Sequence, residues 1–304
     1  MSTLKETNFM TQPSNKELPS FLSFFLQTGF ENQLPDHVVP LSGGSINQVY
    51  LVRNGTQKIV VKYNRNPEFP GLFEAENDGL KTLAENSDFL IPKHTEAYTF
   101  GDTQLLSMEY IESAQEENST FWETFGLLLA KLHGVSNSFF GYNRDNYFAS
   151  LVQDNQPSAH WVDFLILRRL EPLVRLNADE GRISKLTIRS VEGLYKQLDS
   201  IFPPEPPALL HGDLWSGNFL RSKTGIPSLI DPAVYFGHRE MDMAMTLLFG
   251  GFNEAFYRSY QESFPLEKDW RKRAGIAQLY PLLFHAYKFG GNYIAEVKKV
   301  VADF

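Results

Sequence analysis

Three oxygen-bearing side chains in the second half of the chain have types and spacing that could support chemistry. The stretch His211-Gly-Asp-Leu-Trp-Ser-Gly-Asn218 contains Asp213 and Asn218, and Asp231 follows the apolar pair Leu229-Ile230. A carboxylate can orient a hydroxyl group and accept its proton, while carboxylate and amide oxygens are ligands that suit Mg²⁺. Transfer of a phosphoryl group to an alcohol requires these groups together.

The spacing of the three residues favours that interpretation. Asp213 and Asn218 are separated as in the protein-kinase catalytic loop H-R-D-x-x-x-x-N, and Asp231 takes the place of the metal-binding aspartate that comes after it. Alone, Asp213 could equally be a loop carboxylate that accepts backbone N–H bonds. Taken as a set, the residues predict a catalytic base at Asp213 and Mg²⁺ ligands at Asn218 and Asp231. We expect His211 to hold the loop through hydrogen bonds from its ring to the backbone.

The first hundred residues contain a candidate site for the phosphates of ATP. Gly43, Gly44 and Ser45 precede the predicted strand Gln48–Arg53, and glycines let backbone N–H groups approach phosphates closely. Glycines before a strand are also compatible with a simple turn. Lys62 lies in a β-branched run that resembles the V-A-I-K strand of kinases, where the lysine contacts the α- and β-phosphates. Alternatively, Lys62 lies on the solvent-exposed face of the strand and has no role in binding.

A phosphate-binding lysine needs a carboxylate to position it, and the next predicted helix offers Glu74 and Glu76. We favour Glu76, which lies fourteen residues after Lys62 and beside the packed face of the helix. The alternative is that Glu76 is simply a glutamate facing solvent. A later strand leads into a predicted hinge, where the backbone groups around Glu109 and Ile111 would pair with adenine.

The elements that must position these residues change in type along the chain. The first part predicts a hairpin, a helix and a second hairpin, with a type I′ turn at Asn54-Gly55 in the first hairpin. The second part is mainly helical by the spacing of its apolar residues. The predicted strands are Gln48–Arg53, Lys58–Tyr63, Glu96–Phe100 and Gln104–Tyr110, and the predicted helices are Phe21–Leu26, Leu72–Glu85, Phe121–Leu132, Trp161–Leu176, Leu186–Phe202 and several beyond Glu240.

This order predicts an α+β, bilobal protein-kinase-like fold. We expect residues 1–112 to form the small β-rich nucleotide-binding lobe, with residues 1–15 loosely ordered. Residues 113–304 form the larger, mainly helical lobe for catalysis and acceptor binding.

Composition limits the classes of partner. The net charge of −8 and the lack of a long Lys/Arg run argue against nucleic acid or an anionic membrane as the main partner. The chain has no cysteine, which excludes disulfides and thiolate metal sites and fits a cytoplasmic location. No apolar run approaches the length of a membrane span. Nothing in the pattern predicts an oligomeric state.

Several stretches resemble the fructosamine kinase (ketosamine kinase) family, in the aminoglycoside phosphotransferase-like branch of the kinase fold. The resemblance runs from about Leu41 to Phe289. Leu-Trp within the catalytic loop, combined with Asp-Pro-Ala and Gly-His-x-Glu, is its most specific part. The stretches are Ser42–Tyr50, Phe73–Leu80, Leu129–His133, His211–Asn218 and Asp231–Asp242.

The resemblance implies phosphorylation of the sugar C3 hydroxyl of ketosamines, after which the unstable product releases its amine. It implies the same roles for the residues already named. It also implies that the Trp215 ring stacks on the sugar, although packing under the loop is an alternative, and that His238 and Glu240 line the acceptor pocket. Asp242 is expected to brace the metal-binding loop, and His133 to cap a helix.

Three alternatives remain at this point. The acceptor could be another alcohol, such as an aminoglycoside, choline or a homoserine-like compound. The chain could be a nucleotide-binding pseudokinase scaffold, which the retained catalytic positions disfavour. A metal-dependent hydrolase using His211 and Asp213 is disfavoured because the sequence offers no second His/Asp cluster to complete a coordination sphere.

Overall fold

The computed structural model describes residues 35–41, 47–65, 68–114 and 120–304. The described residues up to Lys81, together with Ile91–Glu112, form one compact unit, and Thr82–Leu90 with Ser113–Phe304 form a second. The lobes 1–112 and 113–304 stay our proposal for the domain organisation. The predicted helix Phe21–Leu26 and the segment 1–15 lie outside the described residues.

The first unit is built on a five-stranded antiparallel sheet with the order β1-β2-β3-β5-β4. Its core contains Val52, Val61 and Leu105, which are fully buried. These residues come from three adjacent strands, where β-branched and apolar side chains pack well on a pleated surface. The strands are β1 (His37–Leu41), β2 (Gln48–Asn54), β3 (Gln57–Asn64), β4 (Glu96–Phe100) and β5 (Thr103–Glu109).

Both predicted hairpins are confirmed, but the first turn differs from the predicted type I′ turn at Asn54-Gly55. Asn54 pairs with Gln57 across the sheet, so the two loop residues are Gly55 and Thr56. Of these two, only Gly55 has a positive φ, +57°. A glycine at the first central position with an ordinary residue after it is typical of type II′. The second hairpin repeats this arrangement with Gly101, at φ +57°, and then Asp102.

The mainly helical character of the second part is also confirmed. None of the described helices combines the length and apolar character that a membrane span requires. The first helix, α1 (Leu72–Asn86), lies between β3 and β4. The helices of the second part are α2 (Phe121–His133), α3 (Trp161–Leu165), α4 (Glu171–Asp179), α5 (Lys185–Tyr195), α6 (Leu198–Ile201), α7 (Glu240–Leu248), α8 (Glu254–Ser263), α9 (Trp270–Ala277), α10 (Leu279–Phe289) and α11 (Asn292–Val300).

The predicted continuous helix Trp161–Leu176 is interrupted by a π-helical turn at Ile166–Leu170. Pro172 lies in the first turn of α4 and has no N–H to donate to a carbonyl of the preceding turn. Its position therefore favours an interruption of the regular α-helix just before it. Arg169, within this turn, is fully buried, with its guanidinium 4.6 Å from the Phe164 ring and 4.4 Å from the Tyr235 ring. π-Helical turns of this kind redirect side chains. The spacing of apolar residues in the sequence does not predict such a turn.

Helices α2 and α8 pack closely because Gly126 has no side chain. A Cβ at this position would lie 2.3 Å from the carbonyl oxygen of Phe256, which no side chain could tolerate. Around this contact lies an aromatic core with ring centroids 5–6.5 Å apart, in the range favoured by aromatic pairs. Its members are Phe89, Phe121, Trp122, Phe125, Phe219, Phe252 and Phe256.

A bidentate ion pair between Glu205 and Arg239 predicts how stability depends on pH. The two hydrogen bonds, from Nε and Nη2 of Arg239, measure 2.8 and 2.7 Å. Burial, the largest single influence, raises the pKa of Glu205, but the hydrogen bonds from Arg239 together with the electrostatic influence of His238 and Arg239 outweigh it and hold the pKa below its ordinary value of 4.5. A lowered pKa in the folded state means that the pair stabilises the protein above the unfolded pKa. This stabilisation is lost as the pH falls through the folded pKa.

We therefore expect Glu205→Gln to lower the melting temperature at pH 7, and the difference from wild type to shrink as the pH falls below the ordinary pKa of 4.5 towards the lowered pKa of the folded state. Thermal unfolding followed by circular dichroism across this range would measure it. Glu262→Gln, on the exposed side of α8, is the control and should behave as wild type. A Glu205→Gln difference that stays constant with pH would contradict the assignment.

Candidate active site

The catalytic loop begins where two short antiparallel ribbons meet. The first ribbon pairs β8 (Ala208–Leu210) with β11 (Tyr235–Gly237), and the second pairs β9 (Phe219–Arg221) with β10 (Pro227–Leu229); β6 (Asn146–Phe148) and β7 (Leu151–Gln153), which come before β8, form a separate antiparallel pair. The loop 211–218 therefore joins the first ribbon to the second, and Asp231 lies just after the strand that closes the second. Strand pairing brings together residues that are far apart in the sequence.

Asp213, Asn218 and Asp231 converge as the sequence predicts. The Asn218 Nδ2 group donates to the Asp213 carboxylate at 3.0 Å, to the Asp213 carbonyl at 2.9 Å and to the Asp231 carbonyl at 3.5 Å. Its amide oxygen is the atom of Asn218 that could act as a metal ligand. Asp231 has φ +54°, a backbone conformation that is uncommon outside glycine and often found at functional sites.

The loop also requires glycine at position 212. Gly212 has φ +83°, and a Cβ there would lie 2.0 Å from the carbonyl oxygen of Ala233. Ala233 in turn donates its N–H to the carbonyl of His211 at 2.9 Å. The chain segments before Asp213 and after Asp231 are thus in direct backbone contact.

His211 has the predicted structural role. Its Nε2 is 3.0 Å from the carbonyl of Ile230, and its Nδ1 is 3.3 Å from the N–H of Asp213. Burial lowers the pKa of this fully enclosed imidazole, which favours the neutral ring. A neutral ring can donate from Nε2 and accept at Nδ1, so His211 links the base to the segment that carries Asp231.

Asp242, at the start of α7, braces the catalytic loop. Its carboxylate accepts the N–H of His211 at 2.7 Å and the N–H of Gly212 at 2.9 Å. The sequence predicted that Asp242 braces the metal-binding loop, which is wrong: its hydrogen bonds reach the other loop. A negative charge in the first turn of a helix is also favoured by the helix dipole.

His133 supports Asp242 from behind. Its Nε2 lies 3.3 Å from the Asp242 carboxylate and its Nδ1 lies 2.8 Å from the Tyr260 hydroxyl, with both rings buried. The predicted helix cap is therefore wrong, because the imidazole faces the interior. Sequence reasoning missed this link, since 109 and 127 positions separate His133 from its two partners.

Burial and two neighbouring acids act on the pKa of the base. Burial raises the pKa of Asp213 to about 8, the hydrogen bond from Asn218 opposes that rise, and the charges of Asp231 and Asp242 add to it. The Asp231 carboxylate and the Asn218 amide oxygen are hard-oxygen donors, and a cation beside them would relieve the electrostatic repulsion between the neighbouring acids. These residues therefore fit a magnesium ion.

The residues predicted to hold the nucleotide lie in the first unit. On β3, Lys62 is buried and its ammonium donates to Glu76 of α1 at 2.6 Å, which confirms the predicted pairing. Glu74 instead accepts a hydrogen bond from Thr99. The alternative of a solvated Lys62 is excluded by its burial. Nothing in this pair by itself identifies the ligand.

The predicted hinge residues are in an extended segment at the end of β5. The N–H of Glu109 donates to the Lys93 carbonyl at 3.0 Å, and its carboxylate accepts the N–H of Lys93 at 3.0 Å. The backbone N–H of Glu109 is therefore engaged within the first unit, and the pairing of this segment with adenine stays a prediction. Gly43, Gly44 and Ser45, the predicted phosphate loop, lie outside the described residues.

The three predicted substrate residues fall into two groups. Trp215 is 36% exposed, and its ring lies over Gly217, where a Cβ would be 2.3 Å away. The alternative that it packs beneath the loop is therefore disfavoured, and the stacking of its ring on a sugar stays a prediction. Glu240 is buried and its carboxylate forms a bidentate pair with Arg273, one bond measuring 3.0 Å.

His238 is likewise buried among other side chains, with Nε2 3.1 Å from the Pro203 carbonyl and Nδ1 3.3 Å from the N–H of Glu240. Both residues predicted to line the acceptor pocket have their polar atoms engaged by neighbouring residues. We therefore correct that prediction and assign His238 and Glu240 to the support of helix α7.

Comparison with known proteins agrees with this geometry. The family model for fructosamine kinase matches residues 21–304. A probable ketoamine kinase of Enterococcus faecium is 37% identical over 277 residues, which span 90% of this chain and 96% of that protein. A chloroplastic protein-ribulosamine 3-kinase of Arabidopsis thaliana is 31% identical over 271 residues, spanning 87% of this chain and 81% of that protein.

Solved structures give the same result for the fold. A crystal structure of a candidate fructosamine-3-kinase from Thermobifida fusca has a TM-score of 0.81 at 31% identity, covering 93% of this chain and 99% of that one. The aminoglycoside phosphotransferase APH(4)-Ia has a TM-score of 0.63 at 16% identity, covering 93% and 98%, and shows the fold alone. The predicted α+β, protein-kinase-like fold is thereby confirmed. With its sequence matched over nearly its whole length, the chain belongs to the fructosamine kinase family.

Proposed function

We propose that the protein is an ATP-dependent kinase that phosphorylates a sugar hydroxyl of a ketosamine, a fructosamine or ribulosamine. The observation that carries the proposal is the convergence of Asp213, Asn218 and Asp231 in a chain of this family. The 3-hydroxyl is the position we propose, by analogy with the name of the Arabidopsis relative. The absence of cysteine supports a cytoplasmic location as part of the same proposal.

In the proposed reaction, the sugar hydroxyl donates a hydrogen bond to Asp213 and loses its proton to that carboxylate as it attacks. A bond forms between the hydroxyl oxygen and the γ-phosphorus of ATP, and the bond to the β,γ-bridging oxygen breaks, leaving ADP. Asn218 keeps the carboxylate oriented through its 3.0 Å hydrogen bond. Positioning and electrostatics supply most of the acceleration in such reactions.

A magnesium ion held by Asn218 and Asp231 would offset the charge of the phosphates and favour the ionised form of Asp213. Lys62, oriented by Glu76, would contact the α- and β-phosphates. The carbonyl of Glu109 and the N–H of Ile111 would pair with adenine. In this proposal, residues of the first unit bind ATP and residues of the second unit bind magnesium.

A product assay tests the proposed function. The purified protein, ATP and magnesium are incubated with a ribulosamine, a fructosamine, an aminoglycoside, choline and homoserine, and phosphorus NMR locates any new phosphate ester. We expect phosphate on C3 of a sugar-amine. Phosphate on one of the other alcohols with none on a sugar-amine would overturn the proposal, and a lack of turnover with every acceptor would support the scaffold alternative.

The Lys62–Glu76 pair gives a sharper test of the nucleotide role. Glu76→Gln removes the charge that orients the lysine, so we expect kcat/KM for ATP to fall about tenfold or more. Glu74→Gln, on the same helix and bonded to Thr99, is the matched control and should retain wild-type kinetics. Steady-state kinetics with varied ATP would measure both. Equal effects of the two substitutions would remove Lys62 and Glu76 from their proposed role.

A further inference from the structure

A buried side chain from the β6–β7 hairpin contacts the metal-binding loop, residues 231–234. Asn146 begins β6, and its Nδ2 donates to the carbonyl of Val234 at 2.7 Å. Both residues are buried, and 88 positions separate them in the sequence. Val234 lies three residues after Asp231. Asn146 therefore holds the backbone of the segment that carries the proposed metal ligand.

Two further amides determine how the Asn146 side chain is turned. Its Oδ1 accepts hydrogen bonds from the Nε2 of Gln153 and from the Nδ2 of Asn155, each at 3.0 Å. Both donors belong to side chains that are almost fully buried. A carboxamide has one accepting end and one donating end. Because two donors occupy the oxygen, the NH₂ group must face Val234.

A buried arginine fixes the far end of this network. The guanidinium of Arg169 donates to the Oδ1 of Asn155 at 2.6 Å and to the Asp154 carbonyl at 2.7 Å, and neither acceptor is a carboxylate. Gln153 in turn accepts a hydrogen bond from the Tyr280 hydroxyl at 3.0 Å. Burying a cation in this way is costly, and apolar side chains often replace buried charges with no loss of stability. The network is therefore better explained by the geometry that it sets than by stability.

That geometry matters because the loop has an unfavourable backbone conformation at Asp231. Its φ of +54° costs free energy outside glycine and persists where the surrounding contacts determine it. On the other side of Val234, the N–H and the carbonyl of Phe236 each bond to Gly141 at 2.8 Å. Asn146 lies five residues after Gly141. One segment of the chain thus holds the backbone after Asp231 at two points.

We propose that Asn146 is a positioning residue for Asp231 and that the buried network behind it fixes its orientation. It acts through the backbone between Val234 and Asp231, without touching the metal. The inference rests on the proposed function, in which Asp231 binds magnesium. Removing a side chain that orients a metal ligand from behind usually costs about 10–100-fold in metal affinity or activity.

The test compares two buried asparagines in the full-length protein. Asn146→Ala removes the bond to Val234. Asn177→Ala is the matched control, because Asn177 is equally buried but its Nδ2 donates to the carbonyls of Leu173 and Leu283, at 2.8 and 2.9 Å. We expect the free magnesium concentration for half-maximal turnover of a ribulosamine to rise about tenfold in Asn146→Ala. It should stay at the wild-type value in Asn177→Ala, although both variants lose stability.

Hydrogen–deuterium exchange of the metal-free proteins, measured by mass spectrometry, reports on the loop without any need for activity. Peptides that cover residues 231–237 should exchange about tenfold faster in Asn146→Ala than in wild type. The reason is that the N–H of Phe236, which bonds to the carbonyl of Gly141, is exposed more often once the neighbouring anchor is gone. The same peptides should exchange as in wild type in Asn177→Ala.

Tyr280→Phe is a milder variant, since it keeps the ring and removes only the hydroxyl that bonds to Gln153. Both readouts should shift in the same direction as in Asn146→Ala, by about threefold. Wild-type values of both readouts in Asn146→Ala would overturn the inference, as would equal changes in Asn177→Ala. If Asn146→Ala does not fold, wild-type values in Tyr280→Phe would overturn it. Failure of the proposed function is distinct, because the wild-type protein then phosphorylates no ribulosamine while the exchange measurement still applies.

Discussion

Replacing Asp213 with asparagine should lower kcat by about 10²–10⁴-fold, the usual contribution of a general base. Asparagine has nearly the same shape but cannot accept the hydroxyl proton. The hydrogen bond from the Asn218 Nδ2 group, 3.0 Å long, can still be made to the amide oxygen, so the loop should keep its conformation. Steady-state kinetics with a ribulosamine and ATP would measure the loss, and calorimetry with ATP and magnesium would measure nucleotide affinity.

Nucleotide affinity should change little in this variant, because Asn218, Asp231 and Lys62 are intact. Asp179→Asn, an exposed aspartate at the end of α4, is the control for loss of a negative charge. Retained turnover in Asp213→Asn would remove Asp213 from the role of base. Loss of ATP binding together with turnover would instead indicate that Asp213 is a metal ligand.

The parts of the site that the sequence predicts are those whose spacing is local. Asp213 and Asn218 lie in one loop, so their separation along the chain determines whether they can meet. Lys62 and Glu76 lie on a strand and on the helix that comes after it, and the choice of Glu76 over Glu74 rests on the apolar face of that helix. Helical periodicity and short-range spacing are sufficient for such pairs.

Contacts between distant segments could not be predicted in the same way. His133 ends an amphipathic helix before Gly134, which is the local pattern of a cap, yet its ring contacts Asp242 and Tyr260. His238 and Glu240 lie beside residues typical of the family, which suggested an acceptor pocket. Their burial depends on the packing of α7 against segments that contribute Pro203 and Arg273. Tertiary packing determines which face of a segment is covered, and a single sequence does not record it.

The role of Asp242 in positioning the catalytic loop can be measured separately from its contribution to the stability of the protein. It is almost fully buried and touches no reacting group, but it accepts both N–H groups that immediately precede Asp213. In Asp242→Asn, one of the two oxygens becomes an NH₂ group that faces a backbone donor. The loop must then shift or leave a buried N–H without an acceptor, which costs about 1–3 kcal/mol for each such group.

We therefore expect Asp242→Asn to lower the free energy of unfolding by about 2–4 kcal/mol and to lower kcat about 100-fold in the protein that remains folded. A small displacement of Asp213 is sufficient for such a loss, because proton transfer depends steeply on geometry. KM for ATP should change less than kcat, since Lys62 and Glu76 are unaffected. Chemical denaturation and steady-state kinetics below the melting temperature would measure the two effects separately.

Glu240→Gln distinguishes positioning from general loss of stability. Glu240 begins the same helix and is equally buried, but its carboxylate pairs with Arg273 and does not contact the catalytic loop. Its substitution should destabilise the protein while leaving kcat near the wild-type value. If both variants lost kcat in proportion to stability, Asp242 would be one more buried acid that holds α7 in place. A loss of kcat in Asp242→Asn but not in Glu240→Gln would show that the two hydrogen bonds accepted by Asp242 set the position of the base.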